Sequence, residues 1–231
     1  MAIAYQPKII TDGLVLCLDA GDRKSYGGSG TTWYDRSGNG NNGTLTNGPT
    51  FDSANGGSLV FDGSNDYVGY DVDDLFNDTQ NFSIEYFIKI NNSSNNLLYG
   101  YNVNNNRIYS GTYQGYWDIG YGGTTWTSSA GGKQAVTQGW HHITVTVSSG
   151  VCKIYVDGIA NNRTITDTSV TYVSGQLYMI GAFNYGSGST GSFYSNYSHL
   201  NNCANFKVYN KALTVSEVLQ NFNAQRGRFE I

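Results

Sequence analysis

The sequence has little charge, little proline and few cysteines. Only 13% of its 231 residues are charged, and it contains two prolines and three cysteines. With so few charges, the surface must be covered by Asn, Ser, Thr, Gly and Tyr. Three widely spaced cysteines do not form a disulfide framework, so Cys17, Cys152 and Cys203 are expected to be small buried hydrophobic residues in a reducing compartment.

Clusters of basic residues and long apolar segments are also missing. The net charge is -4 and the pI is near 5.2, which argues against an electrostatic surface for nucleic acid. The N-terminal stretch MAIAYQPKIITDG contains Lys8 and lacks the apolar core of a signal peptide, and no stretch could span a bilayer. We therefore expect no nucleic-acid partner, no membrane insertion, and synthesis in a cytoplasm without a signal peptide.

Glutamates are few, and no Glu-x-Asp-x-Glu array of the kind found in glycoside hydrolases appears on any predicted strand. The three glutamates are Glu85, Glu217 and Glu230, and the last two belong to the C-terminal region. A glycosidase needs two carboxylates that flank the scissile bond. Adjacent His141 and His142 would point to opposite faces of a strand, so they could not share a metal ion. The sequence predicts a protein that is not an enzyme.

Short alternating strands separated by Gly, Asn and Ser dominate the chain. FSIEYFIKI, residues 82–90, alternates between apolar and polar positions and predicts a strand that is half buried, with Ser83, Glu85 and Lys89 on the other face. HHITVTVSSGVCKIYVDGI predicts a hairpin followed by a tight turn at Asp157 and Gly158. The predicted fold is all-β, a two-sheet antiparallel sandwich.

One helix is predicted near the C-terminus. Thr214 and Glu217 form a Thr-x-x-Glu capping box, and Gly227 lies beyond the predicted end. The apolar stripe of this helix consists of Val215, Val218, Leu219 and Phe222. In the tail RGRFEI, Phe229 and Ile231 could dock on another subunit or pack on their own domain.

Five ordered blocks carry a family resemblance: GLVLCLDA, YDRSGNGNNGTL, SLVFDGSNDYV, GWHHITVTVSSGVCKIYVDG and FKVYNKALTVSEVLQNFNA. Together they resemble the laminin-G-like, concanavalin A-like jelly roll. The resemblance extends over residues 13–224. It implies an N-terminal arm at 1–12, a jelly roll at 13–212, and a C-terminal helix and tail at 213–231.

The stand-alone format is similar to virion proteins of tailed bacteriophages, especially marine and cyanobacterial ones. This resemblance implies a non-enzymatic virion structural protein: a capsid decoration protein, a head fibre or a tail-associated subunit. Its partners would be other virion proteins or copies of itself. The alternative is a carbohydrate-binding module that mediates adsorption to host surface glycans.

Calcium is the one cofactor to consider, and the sequence disfavours it. An EF-hand loop that starts at Asp35 would need Glu at its twelfth position, which is Thr46. Some relatives of the jelly-roll family bind calcium through three acidic stretches. Their counterparts here would be Asp35, Asp66 and the pair Ala204 and Asn205, so one acidic contribution is missing. Asp62 and Asp66 could equally be turn residues that accept hydrogen bonds from their own backbone.

Aromatic residues near amides form the candidate ligand or interface surface, because Tyr and Trp suit both sugar faces and protein interfaces. Alternation puts Tyr116 on one face of its strand and Trp117 and Tyr121 on the other, which could be core. The candidates are Tyr113, Tyr116, Trp117, Tyr121, Trp126, Tyr185, Tyr194 and Tyr197. For assembly through the chain ends, the candidates are Tyr5, Ile9, Ile10, Phe229 and Ile231.

Overall fold

A computed structural model describes residues 7–71, 80–91, 96–103, 106–123, 134–170, 177–182 and 202–231. In these ranges the chain forms two antiparallel sheets, one α-helix, α1 (Val215–Phe229), and a single 3-10 turn at Ala54–Gly56. The strands are β1 (Leu14–Asp19), β2 (Thr32–Trp33), β3 (Gly43–Thr46), β4 (Thr50–Asp52), β5 (Ser58–Val60), β6 (Tyr67–Asp71), β7 (Asn81–Ile90), β8 (Asn96–Val103), β9 (Asn106–Tyr113), β10 (Tyr116–Tyr121), β11 (Gly139–Ser148), β12 (Val151–Val156), β13 (Ile159–Thr166), β14 (Leu177–Ile180) and β15 (Asn202–Tyr209).

The two sheets form a sandwich, which confirms the predicted fold class. One sheet has the order β13-β12-β11-β7-β15-β5-β4, with β1 also paired to β15, and the other has the order β10-β9-β8-β14-β6-β3-β2. Strands β10 and β13 contact each other across one edge of the sandwich. The short strands β2 and β4 are the end strands of the two sheets at the opposite edge.

Large aromatic side chains fill the space between the sheets. Trp33, Tyr70, Tyr86 and Trp117 are fully buried there among β-branched residues of both sheets. The Tyr86 hydroxyl forms a hydrogen bond with Ser110 on the opposite sheet. Every second side chain along a strand therefore points to the inner face of its sheet, as the sequence predicted.

The predicted hairpin is formed by β11 and β12, whose register pairs Ile143 with Val156 and Ser148 with Val151. Asp157 and Gly158 both have positive φ, 53° and 77°. This is the backbone that a tight hairpin turn requires, which explains the Asp-Gly sequence. The hairpin prediction is confirmed.

Strand β7 differs from its prediction because both of its faces are buried. Glu85, expected on a solvent-facing side, is 0% exposed, and Ser83 is buried as well. Helix α1 covers this face of the eight-stranded sheet, and its Asn221 contacts Glu85 directly. An alternating pattern shows which residues share a face of the strand, but it does not show whether another element covers the polar face.

Helix α1 confirms the capping box and corrects the predicted end. The Thr214 hydroxyl accepts from the Glu217 main-chain N–H, and the Glu217 carboxylate accepts from the Thr214 N–H. The helix continues through Gly227 as far as Phe229, whose ring stacks on Phe87 with the centroids 4.4 Å apart. This tertiary contact outweighs the cost of about 1 kcal/mol for an interior glycine. At 15 residues, α1 is too short to cross a bilayer, and the described ranges contain no helix that could.

Candidate functional site

Strand register divides the predicted aromatic surface between the two faces of the β9–β10 hairpin. Trp117 and Tyr121 point into the sandwich and are 0% exposed. They contact core residues, and Tyr121 lies 6.5 Å from Phe82 between ring centroids. Both were candidates for ligand contact; in this structure they are core residues, because the alternation that turns Tyr116 outward turns them inward.

Tyr113 and Tyr116 lie on the outer face of the seven-stranded sheet. They are directly opposite each other on the two antiparallel strands, and both side chains are half-buried. Cross-strand neighbours of this kind have Cβ atoms about 5 Å apart, close enough for the two rings to form one surface. Glycine at position 120 leaves room for the Tyr109 ring on the same face, since a Cβ there would lie 2.0 Å from that ring.

A buried ion pair lies further along the same hairpin. Asp118, which is opposite Gly111 and on the same face as Tyr116, is fully buried, and its Oδ1 lies 3.0 Å from Nε of Arg163 on β13. The Ile119 N–H also donates to this oxygen at 2.9 Å. The pair joins the two sheets at the edge beside the tyrosines, so it fixes the position of the surface that they form.

Five candidate residues lie outside the described residues: Tyr5, Trp126, Tyr185, Tyr194 and Tyr197. Their predicted roles stay predictions.

The aspartates that were considered as calcium ligands accept hydrogen bonds within turns. The Asp35 carboxylate accepts hydrogen bonds from the Cys17 N–H at 2.8 Å, from both the N–H and the hydroxyl of Ser37, and from the Asn41 N–H at 3.1 Å. Four donors occupy the oxygens that a cation would need, and they hold the glycine-rich loop against β1. This carboxylate therefore does not fit a calcium ligand.

Asp62 and Asp66 form a second self-contained turn. The N–H groups of Ser64 and Asn65 donate to Asp62 Oδ1, and these main-chain bonds lower the pKa of the Asp62 carboxyl. Asp66 accepts from the Asp62 N–H, and burial raises its pKa. In the part of the chain that the structure describes, no group of three or more His, Cys, Asp or Glu side chains could hold a metal ion.

The two histidines project to opposite faces of β11, as predicted. His141 points inward, where Nδ1 lies 2.9 Å from the Asp157 carboxylate and its ring contacts Trp117 edge-on. His142 points outward beneath α1, with its ring 4.7 Å from that of Phe87. Sequence reasoning placed them correctly because adjacent strand residues alternate.

A buried polar cluster under α1 was not predicted. Lys207 on β15 is directly opposite Glu85 on β7, and its Nζ lies 3.0 Å from Glu85 Oε1. Asn221 of α1 donates to the other carboxylate oxygen at 2.6 Å, and His142 Nε2 lies 3.5 Å from Oε1. Burial alone would raise the pKa of the Glu85 carboxyl, but Lys207, His142 and Asn221 together hold it well below its usual range. The cluster attaches the helix to the sheet.

Two of the five candidates for assembly through the chain ends, Ile10 and Phe229, contact their own domain. The Ile10 N–H donates to Asn221 at 2.7 Å, and the Tyr209 hydroxyl donates to the Ile10 carbonyl at 3.2 Å. Phe229 is only 3% exposed, so it is a core residue and not a docking anchor. Ile9 is half-buried and Ile231 is 38% exposed. For these two residues, the assembly role stays a prediction.

A cleft opens at the sandwich edge formed by β2 and β4. It has a volume of about 310 Å³, and its lining includes Arg23, Tyr26, Gly28, Phe51 and Ser53. The Tyr26 and Phe51 rings lie 5.8 Å apart between centroids. Sequence reasoning missed this cleft. The signal was the run SYGGSG, whose glycines expose main chain, together with the aromatic residue that begins FDSANGG.

The chain belongs to the concanavalin A-like lectin/glucanases superfamily, whose family model matches residues 62–219. No curated protein matches this chain.

Solved structures with the same fold include both enzymes and binding domains. A Trypanosoma rangeli sialidase mutant with trans-sialidase activity is 17% identical with a TM-score of 0.67; the match covers 95% of this chain and 34% of the sialidase. This chain thus spans about a third of that protein. Domain 4 of AbnA, a GH43 extracellular arabinanase from Geobacillus stearothermophilus, in complex with arabinotriose, is 17% identical with a TM-score of 0.66; the match covers 90% of this chain and 97% of that domain. The botulinum neurotoxin serotype D binding domain is 14% identical with a TM-score of 0.62, covering 94% of this chain and 53% of that one.

Proposed function

We propose that this protein is a non-catalytic carbohydrate-recognition domain whose ligand lies on the outer face of the seven-stranded sheet, at the β9–β10 hairpin. The observation that carries the proposal is the outward, directly opposed pair Tyr113 and Tyr116. A half-buried tyrosine offers a sugar both an apolar ring face and a polar tip. The Asp118–Arg163 pair holds the hairpin in place beneath this surface.

Two further observations support recognition over catalysis. The match to the arabinotriose-bound domain covers nearly all of that domain, so a unit of this size suffices to present a saccharide surface in that protein. Among the described residues, Asp118 is buried against Arg163 and Glu85 against Lys207, so neither carboxylate is available as one of the two that glycoside hydrolysis requires.

Glycan binding by matched variants tests this proposal. We expect retention on an array of neutral oligosaccharides, including arabino-oligosaccharides, and a dissociation constant that rises about tenfold in Tyr113→Ala and Tyr116→Ala. Tyr34→Ala is the control, since this tyrosine is exposed and follows β2 at the opposite edge. Equal weakening by all three variants, or no retention of any glycan, would contradict the proposal.

A place in a bacteriophage virion stays a prediction from resemblance, with the glycan surface serving adsorption to a host. Mass spectrometry of purified particles tests it, because the protein must co-purify with the particle in a fixed ratio to the other virion proteins. Absence from particles would remove the virion role and leave the carbohydrate-recognition proposal in place.

A further inference from the structure

We propose that the cleft at the β2–β4 edge is a second ligand site, which binds a sugar residue carrying a carboxylate. The site lies at the opposite edge of the sandwich from Tyr113 and Tyr116. The location of this site does not depend on the proposed function, but the choice of a saccharide as its ligand rests on the proposed function.

The cleft contains several donors that have no acceptor in the part of the chain that the structure describes. Arg23 is exposed, and its guanidinium forms no hydrogen bond or ion pair among the described residues. Within the same ranges, the main-chain N–H groups of Gly27 and Gly28 have no acceptor either, and the Ser53 hydroxyl does not cap the turn that follows it. Of the nearby carboxylates, Asp22 pairs with Arg36 and Asp19 with Arg228, and Asp52 accepts hydrogen bonds from Asn202 and from the Ala54 N–H. Such a set of donors matches an anionic group, and a guanidinium matches the planar geometry of a carboxylate.

The remaining lining suits the body of a sugar ring. The Phe51 side chain is half-buried, so part of its ring faces the cleft. Gly28 has a φ of 91°, and the Phe51 ring lies 3.5 Å from the position a Cβ would take there. Glycines allow a ligand to approach the main chain closely. At about 310 Å³, the cleft is at the small end of ligand pockets, which fits one or two sugar residues.

The cleft wall is fixed by the end of helix α1. Arg228 donates to the carbonyls of Asn55 at 2.6 Å and Gly57 at 2.5 Å, and it pairs with Asp19 at 2.7 Å. A Cβ at Gly21 would lie 2.7 Å from the Gly56 carbonyl, so the two loops meet main chain to main chain. A wall held in this way loses little conformational entropy when a ligand binds.

The test compares acidic sugars with neutral partners of the same size. By isothermal titration, we expect 3′-sialyllactose and trigalacturonate to bind, and lactose and the methyl ester of trigalacturonate to bind at least about tenfold more weakly, as loss of a charge-assisted hydrogen bond implies. Arg23→Gln should remove this preference. Lys24→Gln is the matched control, because it deletes the same charge from the adjacent exposed residue, which does not line the cleft.

Each outcome separates this inference from the proposed function. If the acidic sugars do not bind, or if Arg23→Gln leaves their binding unchanged, the inference is wrong. If Lys24→Gln weakens binding as much as Arg23→Gln, the effect comes from the net charge of the protein and not from a contact in the cleft, and the inference is again wrong. Neutral-glycan binding that is lost in Tyr116→Ala and kept in Arg23→Gln would uphold the proposed function in any of these cases.

Discussion

At the scale of single residues, Lys207 and Glu85 show how a buried charge is tolerated beneath α1. Each side chain loses its hydration on burial. That loss is offset because Lys207 pairs with one oxygen of the Glu85 carboxylate and Asn221 donates a hydrogen bond to the other. Removing one member leaves the other charge buried and unpaired. Replacing both with apolar residues removes the two charges together.

We therefore expect Lys207→Met alone to lower the free energy of unfolding by about 3–5 kcal/mol, and Lys207→Met with Glu85→Leu to recover most of that loss. Chemical denaturation of the three proteins measures both changes. A single variant as stable as the parent would contradict the role given to the pair.

The same pair makes stability depend on pH. The folded-state pKa of Glu85 lies below its usual value of 4.5, so its ion pair stabilises the fold fully above pH 4.5. That contribution is lost as the pH falls from there toward the lowered pKa. Denaturation curves recorded at decreasing pH should show this loss in the parent protein and a smaller loss in the double variant.

At the scale of elements, helix α1 contains one residue that disfavours it. Gly227 is exposed, and a Cβ at this position would meet nothing within 4 Å. We expect Gly227→Ala to stabilise the protein by about 0.5–1 kcal/mol and to raise Tm by a few degrees. Gly120→Ala is the opposite case, because its Cβ would collide with the Tyr109 ring, and it should lower Tm. Thermal melts of both variants check the two directions.

Elements were predictable from sequence where local chemistry decides them. The Thr214 capping box, the Asp157–Gly158 turn and the alternation along β10 each depend on residues a few positions apart, and each is confirmed. The burial of Glu85 and the reach of Arg228 to Asn55 depend on segments more than a hundred residues apart in the chain. No local pattern encodes such contacts, and so neither the polar cluster nor the cleft wall was found.

At the scale of the whole molecule, residues 7–12 of the N-terminal arm contact the domain. Lys8 accepts a hydrogen bond from Gln220, and Ile10 bonds to Asn221, the residue that also donates to Glu85. Deleting residues 1–12 should lower the free energy of unfolding by a few kcal/mol, because it uncovers this buried polar group. Deleting residues 1–6 is the control and should cost less. If both truncated proteins have the same melting temperature as the parent but no longer assemble, the arm contacts a neighbouring subunit instead.

Calcium is not expected to contribute to the stability of the folded molecule. Its candidate ligand Asp35 already accepts hydrogen bonds from four protein donors. A bound cation would raise stability with the logarithm of its concentration. The melting temperature should therefore be the same in chelator and in millimolar calcium. A fall of several degrees in chelator would contradict this expectation.

The position of β15 has a consequence for how the chain is made. This strand, residues 202–209, lies between β7 and β5 and also pairs with β1, so three strands made earlier each keep an open edge until it leaves the ribosome. During that interval, their open edges are exposed to other nascent chains. Chains that end before residue 202 should therefore aggregate, which the share of protein in the insoluble fraction measures.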